Sequence, residues 1–269
     1  MQGEETDPEL TAATVRRRIV TAAAELLRSE GLDAASTRAV AARAGVAPPT
    51  IFRLFGDKDG LLEAVSEYGF ETYLRAKGEL PESGDPVGDL RAAWDLHVRF
   101  GLDQPAYYTL VYGQARAGRV PRAGRQAVAE LERMIDRVAA AGRLRMSVER
   151  AAAVMHAAGV GTILTLIGTP PEQRDLRNAD AAREMVLAAI STPAASSSAP
   201  VSAVTATAGA GGADEAGSAA GDETAQAAMA LRAALGRGDR SALNAAERSL
   251  LVEWLNRLAD AGPPSVPDA

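Results

Sequence analysis

The sequence of 269 residues contains no cysteine, only two histidines and few aromatic residues, which make up 4% of the chain. Without cysteine, disulfide bridges, thiol catalysis and cysteine-ligated metal sites are excluded. Two histidines without supporting carboxylate spacing form no metal-ligand pattern, so we expect neither a metal nor another cofactor. A nucleophile elbow is missing, and Gly159 and Gly161 lack the third glycine of a phosphate-binding loop. We therefore expect no catalytic residues, with an all-α enzyme kept as an alternative.

Long hydrophobic runs are missing as well. The most extended apolar run, around residues 159–168, is shorter than the ~20 residues that a membrane-spanning helix needs. The amino-terminal segment carries Glu4, Glu5, Asp7 and Glu9, whereas a signal peptide begins with basic residues. These features predict a cytoplasmic protein without a membrane partner.

Helix-forming residues are abundant. Hydrophobic residues make up 47% and charged residues 24% of the chain, as in a soluble globular protein, and alanine is frequent. Alanine has the highest helix propensity, apolar residues recur at helical spacing, and no segment shows the alternation typical of a strand. We therefore predict an all-α fold.

Breaks in the helical pattern divide the chain into five segments. A break containing Pro and Gly at residues 81–88 separates two helical domains, and a low-complexity Ala/Ser/Gly/Thr stretch follows the second. That stretch has too little apolar surface to offset the entropy of ordering, so a flexible linker is predicted. The predicted segments are a disordered acidic tail (1–13), a first helical domain (14–80), a second helical domain (86–192), the linker (193–224) and a C-terminal helical pair (225–260).

The second helix of the C-terminal helical pair carries an apolar stripe formed by Leu250, Leu251, Trp254, Leu255 and Leu258. Because such a stripe is costly to expose, we expect it to be buried. Three surfaces stay open as its partner: the second helical domain, the other subunit of an oligomer, or another protein.

Residues 34–57 have the layout of a helix-turn-helix. Ser36 or Thr37 can cap a short helix, Gly45 interrupts the chain, and a Pro-Pro pair begins a further short helix that Gly56 ends. In this motif the second helix lies in the major groove of DNA. We predict that Val40, Ala41, Ile51 and Phe55 face the core and that the outward residues are Pro48, Pro49, Thr50 and Arg53.

The segment from Val15 to Val65, about one fifth of the chain, resembles the DNA-binding domain of the TetR family. The family pattern is met by Thr37, Ala41, Gly45, Val46, Thr50, Phe52, Phe55 and Lys58. The resemblance implies a three-helix DNA-binding domain in which Thr37 and Lys58 contact phosphates of double-stranded DNA. The predicted DNA-binding residues are Thr37, Arg38, Ala47, Pro48, Pro49, Thr50, Phe52, Arg53 and Lys58.

Two positions depart from the family pattern. The family commonly has Tyr at the position of Phe52 and His or Tyr at that of Leu54, and both usual residues reach phosphates. Phe52 can pack against a sugar or a thymine methyl, but neither Phe52 nor Leu54 can donate a hydrogen bond. The chain has a net charge of −6, yet residues 11–60 carry eight basic against five acidic residues. We expect operator affinity to depend on the basic residues Arg38, Arg53, Lys58 and 16–18.

The resemblance also implies that the second domain binds an effector and forms a dimer. Five of the eleven aromatic residues fall within residues 91–113, beside His97. An apolar pocket with a few polar tips suits a small hydrophobic ligand, although the same aromatic residues can form an ordinary core. The predicted effector-binding residues are Trp94, His97, Phe100, Tyr107, Tyr108, Tyr112, Met134, Met155 and His156.

Small residues predict a homodimer interface on the helices at residues 149–168 and 179–190, because small side chains permit close helix approach. The small residues are Ala153, Ala157, Ala158, Gly159 and Gly161 on the first helix, and the second contributes Ala181, Ala182, Met185, Val186, Ala189 and Ile190. Packing within one subunit is the alternative.

Taken with the resemblance, the sequence predicts a repressor that a small hydrophobic effector releases from a palindromic operator. The alternative is an activator or an architectural DNA-binding protein without such an effector.

Overall fold

A computed structural model describes residues 8–113, 120–193, 212–237 and 243–261. These residues form eleven α-helices, one short 3-10 turn and no β-strand, so the predicted all-α fold is confirmed. The helices are α1 (Pro8–Glu30), α2 (Thr37–Ala44), α3 (Pro48–Phe55), α4 (Lys58–Gly78), α5 (Pro86–Asp103), α6 (Pro105–Tyr112), α7 (Arg122–Ala140), α8 (Val148–Gly168), α9 (Arg177–Ile190), α10 (Gly212–Arg237) and α11 (Ala245–Asp260).

Local sequence signals account for several helix ends. Ser147 caps α8, because its Oγ accepts a hydrogen bond from the backbone N–H of Arg150 at 3.3 Å. Asn244 caps α11 within a capping box, in which the Glu247 side chain accepts from the Asn244 N–H. After α7, Gly142 adopts a positive φ of 66°, a conformation that glycine allows without steric cost.

The first helix begins earlier than the sequence pattern indicates. The acidic tail was predicted to extend through residue 13, but α1 starts at Pro8, so residues 8–13 are helical and that part of the prediction is wrong. Proline is well tolerated in the first turn of a helix, where its missing N–H has no partner in any case. The remainder of the predicted tail, residues 1–7, lies outside the described residues.

The predicted linker is also partly helical. Residues 212–224 belong to α10, so the prediction of a flexible linker is wrong there, and residues 194–211 lie outside the described residues. The reason lies in the composition of α10, which is rich in alanine, the best helix former. Low complexity is therefore a poor indicator of disorder when the repeated residue is alanine.

The chain divides into two compact units that interleave along the sequence. The first comprises Met1–Leu80, Asp95–Ala127 and Ile163–Arg174, and the second Pro81–Trp94, Val128–Thr162 and Asp175–Ala269. The predicted break at residue 81 coincides with one boundary between the units. The residues at 95–127 and 163–174, however, belong with the amino-terminal helices.

The C-terminal helices α10 and α11 pack on each other and on residues of the second unit near the start of α8. The Asp260 carboxylate accepts hydrogen bonds from the Ser147 N–H at 2.8 Å and from its Oγ–H at 2.6 Å. Arg232 of α10 donates to both oxygens of Glu149, at 2.6 and 2.8 Å. The pair therefore folds back onto the second helical domain, which was one of the three surfaces left open by the sequence.

Helix α11 buries only part of the predicted apolar stripe. Leu255 of the stripe is buried, together with Ala259, whereas Trp254 and Leu258 are each 51% exposed and Leu250 is 45% exposed. The expected burial is therefore confirmed at Leu255 and wrong at Trp254, Leu258 and Leu250. Trp254 and Leu255 are neighbours in sequence, so the apolar pattern is wide enough for either face to pack, and tertiary contacts select the one centred on Leu255.

One described helix, α8, is long and apolar enough to cross a membrane by length and composition, and 33% of its apolar window is buried. A core or interface helix of a soluble protein meets the same criteria, so this feature is weak evidence for a membrane span.

Candidate nucleic-acid interface and aromatic cavity

The amino end of α2 leaves two residues available to an anion. Ser36 caps the helix by accepting from the Ala39 N–H at 3.2 Å, and Thr37 and Arg38 follow as the first two helical residues. No acidic residue lies in this first turn. Arg38 is exposed and Thr37 is half-buried. The backbone amides of a first turn together with a hydroxyl and a guanidinium make a suitable site for a phosphate.

The turn between α2 and α3 depends on two small residues. Gly45 adopts a left-handed conformation with φ 63°, and the following Val46 donates its N–H to the carbonyl of Ala41 at 3.0 Å. Ala41 is 1% exposed and has no side chain beyond Cβ, so the chain can pass closely over it. This geometry is the tight turn that a helix-turn-helix requires.

Helix α3 has a buried side and an exposed side. Ile51 is fully buried and Phe55 is half-buried against the amino-terminal core, as predicted. Four of the predicted DNA-binding residues are exposed on α3, and Thr50 is half-buried; the exposed ones are Pro48, Pro49, Phe52 and Arg53. Ala47, the N-cap residue, is also exposed. The exposed side of α3 is therefore free to enter a groove of DNA.

The amino end of α3 offers unusually few backbone donors. Pro48 and Pro49 have no N–H, and the Thr50 N–H donates to the carbonyl of Ala47 at 2.9 Å. The usual site for a phosphate at a helix amino terminus is thus missing from α3, in contrast to α2. The side-chain donors that α3 can offer to a partner are therefore those of Thr50 and Arg53.

Leu54 takes part in the core of the domain. Its side chain is half-buried and packs against the amino-terminal hydrophobic cluster together with Val46 and Phe55. An apolar residue at this position therefore stabilises the packing of α3 against its neighbours. This role explains why the departure from a polar residue at position 54 is compatible with the fold.

The basic residues of this region fall into two groups. Arg43 forms ion pairs with Glu30 at 3.3 Å and with Glu25 at 3.6 Å, so its charge is partly neutralised by α1. Arg38, Arg53 and Lys58 are exposed and form no ion pair with any residue that the structure describes. Their charges remain available for phosphates and base edges.

Behind the helix-turn-helix, the first unit contains a cluster of aromatic rings. Tyr73 stacks on Phe100 with ring centres 4.5 Å apart, and Tyr108 lies 4.8 Å from Tyr112. The Tyr108 hydroxyl lies 3.2 Å from Nε2 of His97. Burial raises the pKa of Tyr108 and of Tyr112 well above their ordinary value, so both phenols stay protonated and can donate hydrogen bonds.

A cavity of about 450 Å³ adjoins this cluster within the first unit. It is lined by residues of α1, α4, α5 and α6, among them Arg28, Tyr68, Tyr73, Phe100 and Tyr107. Close approach of α4 and α6 depends on Gly69, since a Cβ there would lie 2.3 Å from Cγ of Tyr107. The volume lies within the range of about 300–1,000 Å³ that small-molecule sites occupy.

The predicted effector residues are distributed over both units. Phe100 and Tyr107 line the cavity, while His97, Tyr108 and Tyr112 belong to the aromatic cluster of the first unit without lining it. The remaining four, Trp94, Met134, Met155 and His156, lie in the second unit. Among the residues described, the indole N–H of Trp94 is buried and has no hydrogen-bond acceptor.

Several lining residues were missed by the sequence analysis. Arg28, Tyr68, Tyr73 and Arg99 line the cavity but lie on three separate helices. Tyr68 and Tyr73 stand five residues apart on α4, whereas the concentration of aromatic residues that predicts a pocket lies on α5 and α6. A search for aromatic residues on the helix after the helix-turn-helix would have found both.

In the described part of the chain, no group of three or more His, Asp or Glu could hold a metal ion.

Comparison with known proteins agrees with this geometry. Residues 19–65 match the family model of bacterial regulatory proteins, tetR family. This match spans α2, α3 and the parts of α1 and α4 that pack around them. No curated protein sequence matches the chain.

Solved structures share the fold of the larger part of the chain. A TetR-family transcriptional regulator from Streptomyces coelicolor is 26% identical, with a TM-score of 0.50, and the match covers 66% of this chain and 95% of that one. A protein of unknown function from Rhodococcus sp. RHA1 is 22% identical, with a TM-score of 0.56 and coverage of 71% and 100%. SmeT, the repressor of the Stenotrophomonas maltophilia multidrug efflux pump SmeDEF, is 23% identical, with a TM-score of 0.52 and coverage of 66% and 91%. The chain is thus similar to bacterial TetR-family transcription regulators in its helix-turn-helix segment, residues 19–65, and in its all-α fold.

Proposed function

We propose that this protein is a cytoplasmic homodimeric repressor that leaves a palindromic operator when a small hydrophobic effector binds. The observation that carries the proposal is the arrangement of α3, in which buried Ile51 anchors the helix while Pro49 and Arg53 stand on its exposed side. Such a helix can enter the major groove, and two of them must be held about one DNA turn apart. Repression itself is taken from the family resemblance.

The dimer is supported by the exposed side of α8 and α9. Ala153, Ala157 and Gly161 are exposed at helical spacing on α8, and Met185 on α9 is 73% exposed. Three other residues of the predicted interface, Gly159, Val186 and Ile190, are buried within the subunit, so they support the interface from behind. An exposed apolar face built from small residues suits close helix packing against a second copy.

Ala157→Arg tests the dimer. We expect the variant to sediment as a monomer and to lose binding to a palindromic operator while its helical circular dichroism is unchanged, because a charged side chain cannot be buried between two close helices. Ala92→Arg, at an exposed position of α5, is the matched control and should remain dimeric. Dimeric Ala157→Arg protein with full operator binding would place the interface elsewhere.

The effector site is supported by the cavity beside the aromatic cluster. Because its lining includes Arg28 of α1 and residues 68–76 of α4, a bound ligand would act on the two helices that pack around α2 and α3. A shift of α1 or α4 would change the orientation of the DNA-binding helices, which couples the two sites. The buried indole N–H of Trp94 has no acceptor among the described residues, which supports a second candidate ligand site in the second unit.

Two variants distinguish these places. The chain has two tryptophans, so Trp254→Phe leaves Trp94 as the single reporter of fluorescence. A compound that releases operator DNA and quenches this signal would support a site near Trp94. Ala76→Leu reduces the volume of the cavity in the first unit. If this variant binds the operator with unchanged affinity but needs a higher compound concentration for release, the result supports that cavity as the effector site. Arg75→Leu, an exposed change on the same helix, is the control.

Selection of duplexes from a random DNA pool tests the proposed function as a whole. We expect the full-length protein to enrich a palindrome whose half-sites are centred about one helical turn apart. Enrichment of no sequence, with binding that depends only on salt concentration, would favour an architectural protein over a repressor. Operator binding that no compound releases would reject the effector part alone.

A further inference from the structure

The exposed side of α3 is predominantly apolar. Successive helical residues are about 100° apart, which places Pro49 and Arg53 opposite the buried side and Phe52 with Pro48 on the adjoining flank. Phe52 is 51% exposed, and both prolines are exposed. Three apolar side chains thus stand where the family's DNA-reading helix meets the base edges, with Arg53 and Thr50 as the polar members.

An exposed phenylalanine at this place has no role in the domain core. The core side of α3 is provided by Ile51, with Leu54 and Phe55 packed beside it. The exposed half of the Phe52 ring is therefore available to a partner, and covering it with an apolar group would be favourable by the hydrophobic effect.

The shortage of hydrogen-bond donors restricts what this end of α3 can recognise. Pro48 and Pro49 carry no N–H, and that of Thr50 is used within the helix. Base edges in the major groove present hydrogen-bonding groups at all four bases, but one apolar group only, the C5-methyl of thymine. An apolar, donor-poor surface discriminates in favour of that methyl group.

We propose that Phe52, with Pro48 and Pro49, reads thymine methyl groups, so that operator recognition beneath α3 depends on 5-methylpyrimidines. This inference rests on the proposed function, because it requires α3 to lie in the major groove. Arg53, one turn after Pro49 and next to Phe52, supplies the hydrogen-bonded part of the readout, because a guanidinium can bind a guanine edge.

Replacement of thymine by deoxyuridine isolates the methyl group, since pairing and the hydrogen-bond pattern of the base edge are unchanged. In the operator selected as above, each thymine is replaced singly and the dissociation constant is measured by fluorescence anisotropy. At one or more positions in each half-site, we expect binding to weaken about fourfold, which is the value of one buried methyl group. Deoxyuridine outside the protected sequence is the matched control.

The contribution of Phe52 is measured by combining the base change with Phe52→Ala. Because Phe52 is half exposed, the variant should keep its helical circular dichroism. We expect Phe52→Ala to weaken operator binding and to abolish further loss on deoxyuridine replacement at the same position. Arg53→Ala should also weaken binding but retain the loss on deoxyuridine replacement, because it removes a different contact.

Three results bear on the inference. Full tolerance of deoxyuridine at every thymine, by a protein that binds its operator, overturns methyl readout and leaves the proposed function intact. A loss that persists unchanged in Phe52→Ala and in Pro49→Ala overturns the assignment to these side chains and indicates that Phe52 packs on sugar. Failure to select any operator overturns the proposed function instead.

Discussion

The guanidinium carbon of Arg16 on α1 lies 4.9 Å from the ring centre of Phe55, the last residue of α3. In the chain, α2 lies between the helices that carry these two residues, and the contact joins the basic cluster of α1 to helix α3 of the helix-turn-helix. A cation above an aromatic ring is attracted by the negative face of the ring. Arg16 therefore has a structural role that its neighbours Arg17 and Arg18 do not share in the described contacts.

Arg16→Met tests this contact, because methionine retains an apolar stem and removes the charge. We expect the free energy of unfolding to fall by about 0.5–1 kcal/mol, the usual value of an exposed cation–π pair. Urea denaturation followed by circular dichroism measures the change, with Arg17→Met as the matched control that should leave stability unchanged. Equal stability of both variants would show that the contact contributes nothing.

Arg53 and Lys58 should contribute to DNA binding in different ways. Arg53 stands on the exposed side of α3, whereas Lys58 is the first residue of α4 beside the Asp57 cap. We expect Arg53→Ala to weaken operator binding more than binding to random DNA, and Lys58→Ala to weaken both alike and to lower the salt slope by about 1. Titrations on both DNAs at several salt concentrations measure this. If each variant loses the same affinity for operator DNA as for random DNA, the proposed difference between Arg53 and Lys58 is rejected.

Phe52→Tyr should tighten operator binding. By the family resemblance, a tyrosine at this position reaches a phosphate of DNA, so we expect the added hydroxyl to donate there. A hydrogen bond to a charged phosphate contributes about 1.5–3 kcal/mol, or tenfold and more in affinity. Because the ring is retained, the loss on deoxyuridine replacement should be the same as in the unchanged protein. Weaker binding by Phe52→Tyr would mean that the ring edge is packed too closely for an oxygen.

The Asp89 carboxylate should make stability depend on acid pH. It is nearly buried and accepts from Ser83 Oγ at 2.6 Å and from Arg137 Nη1 at 2.6 Å. Burial opposes ionisation, but the hydrogen bonds from Ser83 and Arg137 prevail and hold the pKa of Asp89 below its ordinary value of 3.8. Because the folded-state pKa is the lower one, the stabilisation is present above pH 3.8 and is lost as pH falls through the folded-state pKa.

Asp89→Asn is the corresponding variant. We expect the free energy of unfolding near neutral pH to fall by about 1.5–3 kcal/mol, since a charged hydrogen-bond acceptor is replaced by a neutral one. The difference from the unchanged protein should shrink toward acid, as measured by urea denaturation between about pH 3 and pH 7. Glu172→Gln, at an exposed carboxylate outside this network, should cause no loss at any pH. A pH-independent difference would contradict the assignment to ionised Asp89.

The helix-turn-helix was predictable because its signals are local. The Ser36 cap, the left-handed Gly45 and the Pro-Pro start of α3 act within a few residues, and all three appear where the sequence places them. The outward side of α3 also followed from helical spacing around Ile51. Which arginines are available to bind DNA could not be predicted from helical spacing. Arg43, for example, pairs with Glu25 and Glu30, which lie on another helix.

By itself, the amino-acid sequence determined the helical class, the helix-turn-helix and the apolar, donor-poor side of α3, because each depends on residues within one or two helical turns. Only the tertiary structure decided which aromatic residues line the cavity, which side of α11 is buried and where the C-terminal pair attaches. Those outcomes depend on contacts such as that of Asp260 with Ser147, more than a hundred residues apart. Apolar periodicity shows that a face must be covered, but the partner that covers it is selected by packing.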